Sequence, residues 1–465
     1  MLAGAALALA FQLFVPPRVG LGDNGDFNRT MGAFGISAPP GPQRYFGHFI
    51  TRYGYDPAHP TPVPFISSEK LFVGLAVAVH RGLGRGSSFD IAPLAAVHAL
   101  ALLAALWLLL WAARAFPPPA RWTAAGLLAL AFTDVGYAAY LNSFYSEPAS
   151  LVFFLCTVAC LASIAGGHAR LRVLAALAAC LVLFVAAKPQ NFAAALPLSA
   201  LVARMAWLRG DRRWRLACAA TVAAALATSA LMFARGYPVA IREQALQLSV
   251  FYGILRGAPD PRQDLMEMGL PPKLAVFAGL HPWSKGAPSL DDPKFRRQFF
   301  DRMSTTRVLA FYARHPRRLW HAVDEVAQYA FRARPVLGNY EASTGRPPFS
   351  LSRSCAWWGR LREAVMPRSL GGVLAVFALL LAGGGVAYAR AEPARRPLVE
   401  LYGAVALVAL LQLPVIAVGV AAIDPAKHTF LFKAAADLCL IAAAAWLAAA
   451  AVSRAAARRR PASAA

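Results

Sequence analysis

Apolar stretches of about 16 to 25 residues recur along the whole chain, and each stops at prolines, arginines or a polar turn. The hydrocarbon core of a bilayer is about 30 Å thick, so a helix needs roughly 20 apolar residues to cross it. Only 15% of the residues are charged and the mean hydropathy is +0.48, whereas about 25% of the residues of soluble domains are charged. The sequence therefore predicts an all-α polytopic membrane protein with about ten transmembrane helices.

Changes in polarity divide the chain into an N-terminal transmembrane module, a polar segment, a C-terminal module of three transmembrane helices and a basic cytoplasmic tail. These parts are residues 1–234, 235–368, 369–453 and 454–465. Helical patterns separated by proline and glycine predict that the polar segment is a mostly helical extracytoplasmic domain. The first outer loop, residues 18–89, ends with a helix that is too short and too polar for a span. We therefore expect interfacial helices in this loop.

The chain has 47 Lys and Arg residues against 23 Asp and Glu residues. In a soluble protein this excess would indicate nucleic acid, but here much of the excess arginine lies in short loops between apolar stretches. These loops contain Arg114 and Arg121, Arg170 and Arg172, Arg209 to Arg215, and Arg390 to Arg396. Basic loops of membrane proteins remain in the cytoplasm. The pattern predicts a multi-pass protein of the cytoplasmic membrane with both termini inside and no nucleic-acid partner.

An acidic turn, Gly22 to Arg29, follows the first apolar stretch, where a helix would leave the membrane on the extracytoplasmic side. Asp23 and Asp26 lie three residues apart and would share one face of a helical turn. Such a pair can take a proton from a hydroxyl group or hold a divalent cation. The alternative is a turn of Asn, Asp and Gly that only caps an exposed helix.

Two further carboxylates, Asp134 and Glu147, bracket a short turn on the same side. Ionisable groups at membrane depth are costly and usually functional, so both are candidates for catalysis. Glu147 is alternatively a charge that stabilises a helix N-terminus. Tyr145 and its aromatic neighbours form either an ordinary aromatic belt or a platform for a sugar ring or an isoprenoid. Within the last apolar stretch, we expect Asp437 to pair with Lys433, one helical turn away.

Basic and amide side chains occur in two tight outer turns, where positive charge is otherwise disfavoured. Lys188 lies two residues before Gln190, and Lys427 directly precedes His428. A phosphate partner would explain lysines in these positions. The alternative is that each lysine extends along its helix to the membrane surface.

The sequence contains few signs of a cofactor. None of the six cysteines combines with histidine at zinc spacing. No Walker sequence or other nucleotide-binding loop is present. A divalent cation at Asp23 and Asp26 is therefore the one cofactor that the sequence suggests. A reaction that requires energy would need a substrate already activated by a membrane-held phosphate.

Several of these motifs match a known superfamily. The chain resembles the GT-C superfamily of polyprenyl-phosphate-dependent glycosyltransferases and, more narrowly, the glycan-biosynthesis hexose transferases typified by S-layer glycan enzymes. The resemblance rests on Gly22 to Phe27, Asn142 to Pro148, Lys188 to Gln190, Phe251 to Leu255, Gly269 to Pro271, Phe311 to Pro316, Arg334 to Tyr340, and Lys427 with His428. At Lys427 the family leads us to expect arginine, which binds phosphate through two hydrogen bonds.

The resemblance implies a GT-C-like fold and a reaction. An inverting enzyme would move a hexose from a polyprenyl-phosphate-linked donor to a glycan, lipid or protein acceptor on the outer face of the membrane. Asp26, or else Asp23, would take the proton of the acceptor hydroxyl. The residues that bind substrate would be Arg29, Tyr145, Lys188, Gln190, Lys427 and His428. The alternative is a transporter or flippase of a lipid-linked glycan, which would have polar groups at the bilayer midplane.

Overall fold

The computed structural model describes residues 1–39, 46–84, 86–332 and 334–458, so the end of the predicted basic tail, residues 459–465, lies outside the described residues. In the described part, seven helices are long and apolar enough to cross a bilayer, and a bent pair of helices adds an eighth. Two shorter apolar helices account for the remainder of the predicted spans. The predicted class, a mostly helical polytopic membrane protein, is confirmed.

The first apolar helix leads into the loop over residues 18–89. The helix is α1 (Leu2–Phe14). In chain order, the elements of the loop are α2 (Asn28–Met31), β1 (Ile36–Ser37), β2 (Arg52–Tyr55), α3 (Glu69–Gly82) and β3 (Ser88–Asp90). The strands form an antiparallel sheet in the order β1-β2-β3, with Ile36 opposite Tyr55 and Arg52 opposite Asp90. Strands of two to four residues are too short to show an alternating pattern, so the sequence predicted only helices here.

Helix α3 has the two-sided character expected of an interfacial helix. Val73, Ala76 and Val77 are buried, whereas Leu71 and Leu75 are more than half exposed. With 14 residues, the helix is too short to cross a bilayer. An exposed apolar face on such a helix favours the boundary between water and acyl chains.

Seven helices complete the N-terminal module. They are α4 (Ala92–Ala112), α5 (Pro118–Phe132), α6 (Val135–Leu141), α7 (Glu147–Ala165), α8 (Leu171–Val185), α9 (Ala195–Met205) and α10 (Arg212–Arg235). Helices α5 and α6 match one predicted span but meet at an angle of 57°. The break lies at Asp134, whose carboxylate accepts a hydrogen bond from the Gly136 N–H and so caps α6. Helix α7 lies at the centre, with 83% of its span buried.

Six helices lie in the polar segment. They are α11 (Val239–Gln247), α12 (Pro261–Glu267), α13 (Pro293–Gln298), α14 (Thr305–Arg314), α15 (Pro316–Ala327) and α16 (Trp357–Val365). Helix α11 continues as a π-helix over Leu248–Ile254. Phe251, Phe295 and Phe299 pack together in a hydrophobic core that belongs to this segment. Later residues of the segment, such as Trp358, instead join the core of the transmembrane bundle.

The C-terminal module consists of α17 (Leu370–Arg390), α18 (Arg396–Val420), the short helix α19 (Pro425–His428) and α20 (Phe430–Arg458). Between α18 and α19 the chain turns sharply, and Ala421 and Asp424 have φ angles of +49° and +44°. Residues other than glycine rarely adopt such angles, so the turn is strained. The Ser249 hydroxyl supports it by donating a hydrogen bond to the Val418 carbonyl at 2.6 Å.

The buried carboxylate of Asp437 in α20 does not pair with Lys433, so this prediction was wrong. The carboxylate instead accepts hydrogen bonds from Arg362 of α16 and, at 2.7 Å, from the Tyr137 hydroxyl. The Lys433 ammonium donates to two backbone carbonyl oxygens. Spacing within one helix could not reveal this arrangement, because the guanidinium comes from a helix that is distant in the sequence.

Successive helices alternate in direction, which gives the bundle two ends. The start of α7, the end of α8 and the turn after α18 lie together, as the contacts among their residues show, and we call this the site end. The starts of α5 and α18 line one cavity, and Arg204 at the end of α9 contacts Glu400 near the start of α18. These starts and the turn before α10 therefore lie at the opposite end. The polar turns are therefore at the site end, and the arginine-rich turns are at the opposite end.

Candidate functional site

The acidic turn after α1 is organised by the first of its two aspartates. The Asp23 carboxylate accepts hydrogen bonds from the backbone N–H groups of Gly25 at 2.7 Å and Phe27 at 3.2 Å. Gly25 has a φ of +92°, which favours glycine at this position. The Phe27 ring is buried edge-on against the ring of Tyr145. The turn is therefore fixed locally by hydrogen bonds and anchored to the bundle by an aromatic contact.

A second stretch of chain, from the polar segment, holds the acidic turn in place. The Gly338 carbonyl accepts a hydrogen bond from the Gly22 N–H at 2.9 Å, and the Asn339 carbonyl accepts one from the Gly20 N–H at 3.1 Å. A Cβ atom on Gly338 would lie 1.9 Å from the Gly47 carbonyl oxygen, so this close approach requires glycine. This stretch is one of those that supported the resemblance. The contacts that it makes here are backbone hydrogen bonds that hold the acidic turn.

Asp26 lies between two cations. Its carboxylate is 2.5 Å from the Lys427 ammonium and 2.7 Å from the Arg29 guanidinium. The Lys427 side chain is almost fully buried, and its ammonium also lies 3.1 Å from the Asn24 side-chain oxygen. Burial alone would raise the pKa of Asp26, but the charges of Lys427 and Arg29 outweigh burial and hold this pKa well below its ordinary value. Asp26 is therefore ionised in the free protein.

Tyr145 connects the acidic turn with Lys427. Its hydroxyl donates a hydrogen bond to the Gly22 carbonyl at 2.8 Å and accepts one from the Asn24 N–H at 3.0 Å. The Lys427 ammonium lies 4.0 Å from the centre of the Tyr145 ring, within cation–π range. Burial raises the pKa of Tyr145 above its ordinary value, and the Asp26 charge raises it further, so the hydroxyl stays protonated.

A second ion pair lies at the same end of the bundle. The Glu147 carboxylate, in the first turn of α7, is 2.8 Å from the Lys188 ammonium that follows α8, and their side chains are 3% and 11% exposed. Removing either partner would leave a buried charge uncompensated. Two residues beyond the lysine, Gln190 donates hydrogen bonds to the His428 carbonyl at 2.9 Å and to the Gln412 side-chain oxygen at 3.0 Å. These bonds attach the turn after α8 to α19 and α18.

Asp424 and His428 lie within the electrostatic field of both pairs. The Asp424 carboxylate accepts a hydrogen bond from the Asn24 side chain at 3.2 Å. Burial raises the pKa of Asp424 above its ordinary value, against the effect of the Lys427 charge. Burial, followed by the charges of Lys188 and Lys427, holds the pKa of His428 well below its ordinary value. The imidazole is therefore neutral near pH 7. Charges from both ion pairs act on Asp424 and on His428, so the two pairs are electrostatically coupled.

Nine of the ten predicted site residues gather at the site end. They are Asp23, Asp26, Arg29, Tyr145, Glu147, Lys188, Gln190, Lys427 and His428. Asp134 lies apart from them. One of its carboxylate oxygens caps α6, and the other accepts a hydrogen bond from the Gly359 N–H at 2.8 Å. Asp134 therefore links the bend of the broken span to α16.

Among the residues that contact this cluster and were not sequence candidates, three are informative. Asp424 is the first, and an acid directly before proline in a tight outer turn was a usable signal. The other two are Phe65 and Tyr237, whose rings stack with centroids 5.6 Å apart. The Arg29 guanidinium lies 6.0 and 5.9 Å from their ring centres. Burial raises the pKa of Tyr237 to about 12. No local pattern distinguishes these two aromatic residues from the many others in the chain.

The paired aspartates do not fit a divalent cation as they stand. In residues 1–39, 46–84, 86–332 and 334–458, no group of three or more His, Cys, Asp or Glu side chains is placed to hold a metal ion. Asp26 is already paired with Lys427 and Arg29, whose charges would repel a further cation. One oxygen of Asp23 accepts the backbone hydrogen bonds of its own turn. The cluster instead offers cations for an anion and carboxylates for a proton.

Solved structures that align with the chain are archaeal. The oligosaccharyltransferase AglB from Archaeoglobus fulgidus, in complex with an inhibitory peptide and a dolichol-phosphate, is 16% identical with a TM-score of 0.43, and the alignment covers 100% of this chain and 52% of that one. The apo form of the Archaeoglobus fulgidus oligosaccharyltransferase is 14% identical with a TM-score of 0.40, over 99% and 52% of the two chains. The chain thus spans about half the length of these structures.

No curated protein sequence matches the chain. A family model does: the one described as the YfdI N-terminal transmembrane domain matches residues 1–463. The match covers both transmembrane modules and the polar segment between them. Its description agrees with the multi-pass membrane fold. The chain therefore belongs to the YfdI N-terminal transmembrane domain family.

Proposed function

We propose that this protein is a membrane glycosyltransferase of the GT-C type, which transfers a hexose from a polyprenyl-phosphate-linked donor to a glycan, lipid or protein acceptor. The observation that carries the proposal is the position of Asp26 between Lys427 and Arg29, with the Glu147–Lys188 pair at the same end of the bundle. A cluster of this kind can bind a phosphate and accept a proton in one place.

The three cations would bind the donor phosphate. In the free protein each is held by a carboxylate, Lys427 and Arg29 by Asp26, and Lys188 by Glu147. A phosphate would compete for these contacts, and Arg29 can offer it two parallel hydrogen bonds. Negative charge increases on the phosphate as it departs from the sugar, so cations already in place stabilise the transition state more than the ground state.

Binding of the phosphate would also activate Asp26. A carboxylate whose pKa is held low is a weak base, and the charges of Lys427 and Arg29 are what hold it low. If Lys427 and Arg29 bound the phosphate instead of Asp26, the pKa of Asp26 would rise. The carboxylate would then be available to take the proton of the acceptor hydroxyl. Asp23 is the alternative base, because burial raises its pKa above the ordinary value, against the hydrogen bonds from Phe27 and Gly25.

The transfer itself is a single displacement. The acceptor oxygen forms a bond to the anomeric carbon while the bond from that carbon to the phosphate oxygen breaks. The hydroxyl proton passes to the aspartate, and the bonding electrons leave with the polyprenyl phosphate. Attack from the face opposite the phosphate inverts the anomeric configuration. The apolar helices at the site end would hold the isoprenoid, and residues 235–368 would hold the acceptor.

We further propose that the site faces the extracytoplasmic side of the cytoplasmic membrane, because the arginine-rich turns lie at the opposite end. Lys285, in the polar segment, and Arg213, in the turn before α10, are both exposed. In intact cells, a membrane-impermeant maleimide should label Lys285→Cys and leave Arg213→Cys unlabelled, with the parent protein as the background. Labelling of Arg213→Cys alone would place the site in the cytoplasm.

Donor turnover tests the proposed activity. Purified protein in lipid nanodiscs is incubated with radiolabelled polyprenyl-phosphate hexose and a membrane extract as the acceptor source, with and without chelator. We expect labelled product and free polyprenyl phosphate, loss of both in Asp26→Asn, and no effect of chelator, because the aspartates do not fit a cation. A transporter or flippase would move the donor across sealed vesicles with its sugar–phosphate bond intact, and that result would overturn the proposal.

A further inference from the structure

A cavity lies at the end of the bundle opposite the acidic turn. It has a volume of about 490 Å³ and lies between the turn that joins α4 to α5, the turn that joins α17 to α18, and the second half of α20. Sites for small molecules have volumes of roughly 300–1,000 Å³. No residue of the proposed transferase site lines this cavity, so it requires a separate explanation.

Small side chains produce the cavity. Helix α20 is rich in alanine in this region, and Ala442 and Ala445 line the cavity together with Ala124 of α5 and Ala162 of α7. Trp446, which is 42% exposed, is the largest side chain of the α20 wall. The space is thus a cleft between transmembrane helices, with walls that match the chemistry of an acyl chain.

Two arginines lie at the rim of this apolar cleft. Arg390 ends α17, Arg395 precedes α18, and both line the cavity and are exposed. Neither forms an ion pair with any described residue, including Glu392, which lies between them. Other arginines at this end do have acidic partners, for example Arg209, whose guanidinium lies 2.8 Å from the Asp211 carboxylate. The cleft therefore combines an apolar interior with unpaired positive charge at its mouth.

We propose that this cleft binds a phospholipid with an anionic head group. One acyl chain would lie among the alanines, and the phosphate would lie between Arg390 and Arg395. Basic pockets between transmembrane helices bind anionic head groups, and arginine forms bidentate hydrogen bonds with phosphate. Charge complementarity selects an anionic lipid over a zwitterionic one of the same chain length. This site is independent of the proposed transferase activity.

Native mass spectrometry of the purified full chain tests the proposal, with phosphatidylglycerol and phosphatidylcholine of identical acyl chains as probes. We expect one tightly bound phosphatidylglycerol and binding of phosphatidylcholine that is weaker by about tenfold. The double variant Arg390→Gln/Arg395→Gln should lose this preference. The matched control is Arg212→Gln/Arg213→Gln, which removes two exposed charges at the same end but outside the cleft and should keep it.

A cavity-filling variant tests the position of the acyl chain. Ala162→Leu should reduce binding of both lipids, because it occupies the floor of the cleft, and its melting temperature in detergent shows whether the bundle remains folded. Equal binding of the two lipids by the parent protein would overturn the proposal. So would a preference that is unchanged in the double arginine variant, because both arginines are exposed and that variant is expected to fold.

Discussion

The Asp26 carboxylate and the Lys427 ammonium are separated by 401 residues in the sequence and by 2.5 Å in space. The contact joins the first outer loop to the turn before the last transmembrane helix. It also keeps Asp26 ionised in the free protein, and the carboxylate lies against the buried Lys427 side chain. The first prediction tests this relationship directly.

Asp26→Asn should lower the rate of sugar transfer by about 10²–10⁴-fold, the usual contribution of a general base. The carboxylate is 23% exposed and the new amide can still accept a hydrogen bond from Lys427, but the variant leaves the buried charge of Lys427 without its counterion. The melting temperature of the variant is therefore measured beside its activity, to separate lost catalysis from lost stability. Donor turnover under saturating donor measures the effect. The control is Asp56→Asn, which removes an exposed carboxylate from the same loop. Full activity of Asp26→Asn would exclude Asp26 as the base and leave Asp23 as the candidate.

Lys188→Met should destabilise the protein by about 3–5 kcal/mol, because it leaves Glu147 buried without a partner. Glu147→Leu combined with Lys188→Met should be less harmful than Lys188→Met alone, since the double variant removes both charges. Denaturant unfolding in detergent micelles compares the variants. If the double variant loses as much stability as the two single variants together, the two side chains act independently and the pair is not a unit.

His428 should make the free energy of unfolding depend on pH. Burial and the charges of Lys188 and Lys427 hold the pKa of His428 well below its ordinary value in the folded protein. Below about pH 6.5, the unfolded chain therefore binds a proton at this histidine that the folded protein does not bind. Stability should accordingly fall as the pH decreases through this value, by up to about 1.4 kcal/mol per pH unit from this group.

The matched variant for this pH dependence is His428→Gln, which cannot titrate. Melting temperatures of the two proteins are compared between about pH 7.5 and about pH 5.5, on either side of the ordinary histidine pKa. The melting temperature of the parent should fall more than that of the variant as the pH decreases over this interval. Parallel curves would show that His428 is protonated in the folded protein as readily as in the unfolded chain.

Gly338→Ala should destabilise the protein by about 1–3 kcal/mol, the usual cost of overpacking, because its Cβ would lie 1.9 Å from the Gly47 carbonyl oxygen. Transfer activity should fall with it, since this contact supports the acidic turn. Gly371→Ala is the matched control: it lies in α17 with no atom within 4 Å of the added Cβ, and alanine favours a helix. Equal melting temperatures for the two variants would contradict the close approach at Gly338.

The sequence could predict that the site residues lie at the same end of the bundle, because this placement follows from the number of spans between them. Each apolar stretch reverses the direction of the chain, so Asp26, Lys188 and Lys427 were expected on one side before any contact was known. The structure places them together. The arginine-rich turns lie at the other end for the same reason.

The partners of individual charges were not predictable in this way. Asp437 has Lys433 one turn away, yet it pairs with Arg362 from a separate helix. The stacked rings of Phe65 and Tyr237 likewise meet only through tertiary packing. Each of these contacts joins residues far apart in the sequence, and composition and periodicity describe only neighbours along the chain.

The order in which the site residues emerge from the ribosome follows from the Asp26–Lys427 contact. Asp26 is translated 401 residues before Lys427, which lies in α19 just before α20. A nascent or prematurely terminated chain therefore contains the acid without its buried counterion. Under the proposed transfer mechanism, such products also lack one of the three cations that would bind the donor phosphate, so partial chains should not transfer sugar.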